Sequence, residues 1–348
     1  MTSARPIITV LCPTTQAASE PAAARAGEDQ SLEDWQTAIE RPEGLEPIER
    51  QAEVRYTDAA GLGEALEGAQ ALFLWDFFSP AVRQAWPQAG ALEWIHVAAA
   101  GVDALMFDEL RSSEVVVTNA QGIFDRPIAE YVLAAIFAHA KDFAASQRHQ
   151  QARQWVHRET LRVQGTSALI IGTGAIGRET ARLLHAVGIE VTGAGRTARE
   201  HDPDFGTVVD SADLPQHIGE FDHIINAAPL TAQTTGLIGA ESLAAVRPGA
   251  HLINIGRGES VDEQALIQAL KAGTLARATL DVFAQEPLPP DSPLWTMDSV
   301  TISAHMSGDV LGWRTALAEQ FVDNAQRWLD GQERENIVDT AKGYVPRH

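Results

Sequence analysis

Residues 167–180 read SALIIGTGAIGRET. Ala168 to Ile171 is a short apolar run of the kind that forms a buried strand, and Gly172, Gly174 and Gly177 follow at the spacing G-x-G-x-x-G. Beyond them Ala181, Leu183, Leu184 and Val187 fall on one face of a helix that starts near Arg178. Strand, glycine turn and helix in that order are the context a dinucleotide-binding unit requires. The first glycine makes the tight turn, the second lets the backbone approach a pyrophosphate, and the third lets helix pack on strand. The N–H groups at the helix start then face the phosphate, which makes Gly172, Gly174, Ala175, Ile176 and Gly177 candidate cofactor contacts. Glycines also serve ordinary turns; the flanking pattern is what favours the cofactor reading.

The next strand, Glu190 to Ala194, runs into Gly195, Arg196 and Thr197. A carboxylate normally sits there, about twenty residues past the fingerprint, to accept the ribose 2′-OH. A guanidinium and a hydroxyl take its place and would suit a 2′-phosphate. Arg196 and Thr197 therefore point to NADP(H) in preference to NAD(H). The alternative is an exposed arginine in a loop that also holds Arg199.

The 348 residues allow about two domains, and 45% hydrophobic with 21% charged residues is globular composition. A formal charge of -21 argues against nucleic acid or an anionic membrane as partner, so an anionic substrate has to meet a local positive site. Cys12 is the sole cysteine, which excludes an intrachain disulfide and a cysteine-cluster metal site, and no cluster of metal ligands is evident. The apolar run Ile7 to Cys12 is too short for a signal or membrane segment. A cytoplasmic protein is expected.

Upstream of the glycine turn, Pro6 to Cys12 reads as a first strand, followed by the Ala-, Glu- and Pro-rich stretch Pro13 to Gly44. Leu32, Trp35 and Ile39 could form one face of a short surface helix there, or the stretch could be a mobile acidic excursion. From Ala52 strands and helices alternate, with strands at Val54–Tyr56, Ala71–Trp75, Trp94–Val97 and Val115–Thr118, the rhythm of a parallel α/β sheet. The small residues Ala98, Ala99, Ala100 and Gly101 leave backbone N–H groups uncovered, so this loop could hold an anion or could be a plain tight turn. Pro127 opens a long helix expected to run to about Gln147.

Downstream, strands at His223–Asn226, His251–Ile255, Thr279–Val282 and Val300–Ser303 each end in a loop with chemistry. These loops carry Ala227 to Thr231, then Gly256-Arg257-Gly258, then Asp281 with Glu286 before Pro287, and last His305. Ligands of doubly wound sheets collect at the carboxyl ends of strands. An isolated histidine is more often a structural hydrogen-bonder, and Glu286 alone could be merely solvated; their shared place on the sheet singles them out.

From about Ala52 to Gln332 the chain resembles the D-isomer-specific 2-hydroxyacid dehydrogenases. The motifs are HVAAAGVDAL (96–105), VVTNAQGIFDRPIAEYVL (116–133), IIGTGAIGRETARLL (170–184), AAPLTAQTTGLIG (227–239), VRPGAHLINIGRGESVDEQAL (246–266), LDVFAQEPLPPDSPLW (280–295) and TISAHMSG (301–308). GRT at 195–197 makes it look most like the NADP-using, glyoxylate/hydroxypyruvate reductase-like members. It departs in the acidic insert and in Ser303-Ala304, where many members have Thr-Pro or a similar pair.

The resemblance implies two Rossmann-like, doubly wound parallel-sheet domains with the active site in the cleft between them. These would be a flavodoxin-like substrate-binding domain of residues 1–118 plus 309–348, and a dinucleotide domain of residues 119–308. It implies that Arg257 binds the substrate carboxylate and polarises the 2-oxo oxygen, and that His305 protonates that oxygen. Glu286 would hydrogen-bond His305 and keep it protonated, as a nearby carboxylate does. Ala100, Gly101 and Val102 would give backbone contacts to the carboxylate, and Asp281 would meet the nicotinamide carboxamide. Ala228, the Pro229-Leu230 pair of the same loop, Ile255, Gly256 and His305 would complete the cofactor contacts. Glutamate at 286 speaks against formate-oxidising relatives, which carry glutamine there. No metal is needed. A homodimer is implied, with Trp155 where some relatives place a tryptophan that reaches a neighbour's site. Phe77, Phe78, Phe124 and Met306 would shape a side-chain pocket for a substrate larger than glyoxylate. The competing reading is a non-catalytic, dinucleotide-sensing, corepressor-like protein, and a third is oxidation of another anion, such as a phosphorus oxyacid.

Overall fold

The computed structural model describes residues 5–15 and 38–346. Most of the stretch Pro13 to Gly44, with the short helix expected around Leu32 and Trp35, lies outside the described residues. The chain divides into two compact units: one runs to Ile123 and resumes at Gly312, and the other is Phe124–Leu311.

The first unit holds β1 (Ile7–Leu11), β2 (Thr14–Thr15), β3 (Ala38–Ile39), β4 (Glu53–Thr57), β5 (Ala71–Leu74), β6 (Trp94–Val97) and β7 (Val116–Asn119). β2 and β3 form a separate antiparallel ribbon. The other five make a wholly parallel sheet in the order β4-β1-β5-β6-β7, the flavodoxin-like arrangement. The central strands β5 and β6, ALFL and WIHV, are buried at every residue, as a sheet covered on both faces demands. The helix Trp313–Leu329 belongs to this unit because Phe321 stacks on Phe73 with ring centroids 3.9 Å apart, and Trp94 lies 5.7 Å from the same ring. Aromatic faces of this size dominate a core.

The second unit holds β8 (Ser167–Ile171), β9 (Glu190–Gly195), β10 (Arg199–Asp202), β11 (Gly206–Asp210), β12 (His223–Asn226), β13 (His251–Asn254), β14 (Arg277–Leu280) and β15 (Val300–Ile302). Their order is β10-β11-β9-β8-β12-β13-β14-β15, parallel except for the β10–β11 pair. From β11 inward this is the Rossmann order with one added strand, and it reverses between β8 and β12.

Two features differ from the sequence-based expectation. The long helix from Pro127 stops early: it is Asp125–Ala140, and a second helix is Phe143–Gln151. Asp142 between them takes a left-handed conformation (φ 46°), and its carboxylate accepts the Ala145 N–H at 3.3 Å, capping the new helix. Arg199, read as a loop residue, begins β10, because Asp202 holds the turn after it. Asp202 accepts from Arg178, from Arg199 and from the amides of Asp204 and Phe205.

At the amino end of the second sheet three histidines meet. His223 and His251 open β12 and β13, and His139 lies near the end of the helix Asp125–Ala140. The ring centroids of His139 and His251 are 4.8 Å apart, and those of His223 and His251 are 6.1 Å apart. Burial lowers the pKa of all three, that of His223 to about 4. The neighbouring imidazoles and Arg277 push His251 further down, while Asp142 and Asp222 oppose the effect on His139 and His223. In the unfolded chain each ring returns to its ordinary value near 6.5. The unfolded state therefore binds more protons below that pH. The stability carried by the neutral rings is complete above pH 6.5 and is lost as pH falls toward the folded values. Denaturation midpoints should decline between pH 6.5 and 4, with up to about 3 kcal/mol from His223 alone. A His223→Asn variant should show a shallower decline. An equal slope in parent and variant would contradict this account.

Candidate active site

The dinucleotide cradle lies where the strand order reverses. Gly172, at the end of β8, has φ 106°, and a Cβ there would lie 2.6 Å from the Ala227 carbonyl carbon at the end of β12. Only glycine allows the two strand-end loops to touch in this way. At Gly174 a Cβ would meet nothing within 4 Å. Gly174 is also the N-cap of the helix Ala175–Ala186 and provides no side-chain cap, so the first-turn amides, which have no acceptor within the helix, suit a phosphate. Arg196 and Thr197 follow the end of β9 and are exposed. Arg199 is engaged by Asp202, with its Nε and Nη2 at 2.9 and 2.8 Å, and Arg178 pairs with both Asp202 and Asp204 at 2.7 Å. The hydrogen bond from Arg178 holds the Asp202 carboxyl well below the usual range against its burial, helped by the Asp204 amide and Arg199. Both aspartates are therefore anions matched to cations.

The arginine loop is pressed against the rest of the sheet edge. A Cβ at Gly258 would fall 1.8 Å from the Phe283 carbonyl carbon, just past β14, so this contact requires glycine. Arg257 is fixed through its main chain, because its carbonyl accepts from Ser260 Oγ at 2.5 Å and from Asn254 Nδ2 at 3.2 Å. Asn226 Nδ2 in turn donates to Asn254 Oδ1 and Ser260 Oγ at 2.8 and 2.6 Å. Asn226, Asn254 and Ser260 are all buried, so these partners are what make their burial tolerable.

His305 Nδ1 lies 2.8 Å from Glu286 Oε2, and Glu286 Oε1 accepts the Phe283 amide at 2.9 Å. Burial raises the Glu286 pKa, but the His305 hydrogen bond and the Phe283 amide, with the charges of His305 and Arg257, outweigh it and leave the group below its ordinary value. Glu286 is therefore a carboxylate at neutral pH and can only accept, so His305 Nδ1 carries a proton and Nε2 is the nitrogen left for chemistry. The two side chains are 31% and 32% exposed, open enough to meet a ligand.

Asp281 is 1% exposed, and its carboxylate takes the Ser303 hydroxyl and the amides of Met306 and Ser307. Of the expected pocket residues, Phe124 is 7% exposed and packs against Gly308, so it belongs to the second unit's interior, whereas Met306 is 52% exposed. In the first unit the loop after β6 is held by Asn119, whose Nδ2 donates to the Ala100 carbonyl at 2.6 Å. Ala100 and Gly101 are half-buried and Val102 is buried. The loop after β5 carries Phe77 and the 63% exposed Phe78, with ring centroids 4.6 Å apart, and Trp313 lies 6.4 Å from Phe77. Among the described residues no group of three or more His, Cys, Asp or Glu could hold a metal ion, and no helix is long and apolar enough to cross a membrane.

Residues 133–307 match the family model described as D-isomer specific 2-hydroxyacid dehydrogenase, NAD binding domain. The glyoxylate/hydroxypyruvate reductase B of Pectobacterium atrosepticum is 34% identical over 251 residues, covering 68% of this chain and 76% of that protein. The chain belongs to the D-isomer specific 2-hydroxyacid dehydrogenases. It is an oxidoreductase of that type, and its second unit takes a nicotinamide dinucleotide. A solved family member from Aeromonas salmonicida superposes with a TM-score of 0.77 at 27% identity, covering 97% of this chain and all of that one. Another, from Xanthobacter autotrophicus Py2 and described as a complex with NADPH and MES, gives 0.74 at 30% identity, covering 98% of this chain and all of that one.

Within the dehydrogenase's second unit the structure brings Glu286 and His305 into contact, with the charge of Arg257 close enough to act on Glu286. Ala100, Gly101 and Val102 lie in the first unit. Sequence reasoning missed Asn226, Asn254 and Ser260. The available signal was the polar residue closing the apolar strands HIIN and HLIN, since a buried asparagine at a strand end must be bonded to something.

Proposed function

We propose that the protein reduces 2-oxo acids to D-2-hydroxy acids with NADPH in preference to NADH. The observation that carries the reading is the Glu286–His305 pair at 2.8 Å beside the charge of Arg257. Reduction of a 2-oxo acid builds negative charge on the carbonyl oxygen, so a cation and a proton donor at that oxygen lower the barrier. The nicotinamide, when bound, supplies the hydride. Arg257 pairs with the substrate carboxylate and faces the 2-oxo oxygen. His305 delivers its Nε2 proton to that oxygen, and Glu286 holds the ring by Nδ1 throughout. The Ala100, Gly101 and Val102 amides of the first unit are a further candidate group for an anion. Asp281, with three donors already on its carboxylate, keeps an acceptor position for the nicotinamide amide. Equimolar loss of NADPH and formation of the D-hydroxy acid, resolved by chiral chromatography, tests the reaction; an L product or no product would overturn it.

Preference for NADPH rests on Arg196 and Thr197, supported by the NADPH described for the Xanthobacter relative. Arg196→Ala should raise KM for NADPH by roughly 10–100-fold, the worth of a charged hydrogen bond, and that for NADH by less than about threefold. Equal losses would remove the 2′-phosphate assignment. The exposed Phe78 and its neighbours Phe77 and Trp313 favour a substrate with an apolar side chain over glyoxylate. The fully exposed Trp155, with Val156 and Leu161 nearby in sequence and also exposed, supports a homodimer, since exposed apolar groups of this size mark interaction surfaces.

A further inference from the structure

Tyr131, on the helix Asp125–Ala140, and Ser303, just past β15, are 172 residues apart in sequence, and their hydroxyls meet at 2.6 Å. Ser303 Oγ lies 2.5 Å from Asp281 Oδ1. A carboxylate only accepts, so Ser303 donates to Asp281 and Tyr131 donates to Ser303, which fixes the direction of the chain. At its far end Asp281 collects three consecutive amides. Its carbonyl accepts the His305 N–H at 2.8 Å, Oδ1 accepts that of Met306 at 3.0 Å, and Oδ2 accepts that of Ser307 at 2.9 Å.

His305 begins that run with φ 51°. A non-glycine residue in the left-handed region is strained and stays there only where its surroundings insist. Asp281 supplies that insistence, and the Ser303 hydroxyl shares Oδ1 with the Met306 amide. Burial raises the Tyr131 phenol pKa; the Ser303 bond opposes this and the Asp281 charge adds to it. The phenol therefore keeps its proton through neutral pH.

We propose that Tyr131 and Ser303 are positioning residues for the proton-transfer step. Their hydroxyls lock the Asp281 carboxylate, which holds the 305–307 backbone so that His305 reaches Glu286 through Nδ1 and presents Nε2 to substrate. The proposal rests on the assignment of His305 as proton donor made above.

The test uses the full-length protein with NADPH and the best 2-oxo acid. Tyr131→Phe and Ser303→Ala should each lower kcat by about tenfold or more, the penalty of a misplaced catalytic group, with KM for both substrates within about twofold of the parent. Ser303→Thr, which keeps the hydroxyl, should restore the parent kcat. The double variant Tyr131→Phe/Ser303→Ala should cost no more than Ser303→Ala alone, because the two act as one chain. Parent kcat in either single variant, with or without a lower Tm, would overturn the proposal, as would failure of Ser303→Thr to rescue. If Tyr131→Phe does not fold, Ser303→Ala and Ser303→Thr decide; if Ser303→Ala does not fold, Tyr131→Phe decides. His305→Asn separates the two layers. If it turns over at the parent rate, the donor assignment itself is lost. If it is inactive while Ser303→Ala runs at the parent rate, the donor stands and the positioning role is lost.

Discussion

His305→Asn should reduce kcat by roughly 10²–10⁴-fold, the contribution of a placed general acid, while NADPH still binds with near-parental affinity. Asparagine keeps a donor that can reach Glu286 and fills similar space, but it has no titrating nitrogen to give up a proton. The expected loss is therefore one of chemistry and not of fold. The Glu286 carboxylate of the parent is held below its ordinary pKa by His305 and the Phe283 amide against its burial. The check is a steady-state kcat beside a fluorescence titration with NADPH. A variant that binds the coenzyme and turns over within a few-fold of the parent would remove His305 from the mechanism.

Arg257→Ala should be the second severe loss. Its loop is already fixed by Ser260, by Asn254 and by the contact of Gly258 with Phe283, none of which uses the guanidinium. The backbone should therefore survive the substitution. What disappears is the Nη1 hydrogen bond to the Gly256 carbonyl at 2.8 Å, together with the charged partner of the substrate carboxylate and the cation at the developing oxyanion, so kcat/KM should fall by on the order of 10³-fold. Because that charge also helps keep Glu286 ionised, the Glu286 pKa should rise in the variant. Competition experiments with oxamate-like anions would show whether the anion site has gone. Unchanged anion affinity would place the carboxylate elsewhere.

Much of this site was legible because its residues sit where the fold forces them. Short segments with an apolar centre, such as HLIN and SALII, each followed by a loop with glycine, fit buried parallel strands, and the loop at the carboxyl end of a parallel strand lies at the ligand-binding edge. The glycine turn was readable for the same reason. The β10–β11 hairpin was not, since REHD has no apolar run and is held by Arg178, which is 24 residues from Asp202. The break at Asp142 was hidden because helical periodicity continues across it and a left-handed cap leaves little trace in composition. Phe124 resembled a pocket residue in sequence, but Gly308 opens a space that its ring fills. The Tyr131–Ser303–Asp281 chain was invisible because its partners come from distant segments, and nothing local requires a tyrosine on that helix.

The measurement that bears most directly on the central claim is the initial rate of NADPH oxidation, with NADH in parallel, against glyoxylate, hydroxypyruvate, pyruvate, phenylpyruvate and branched 2-oxo acids. A clear rate with NADPH, lower with NADH and highest on an acid with an apolar side chain, is the predicted result. Tight binding of NADPH with no turnover on any 2-oxo acid would contradict it and point to a dinucleotide-sensing protein.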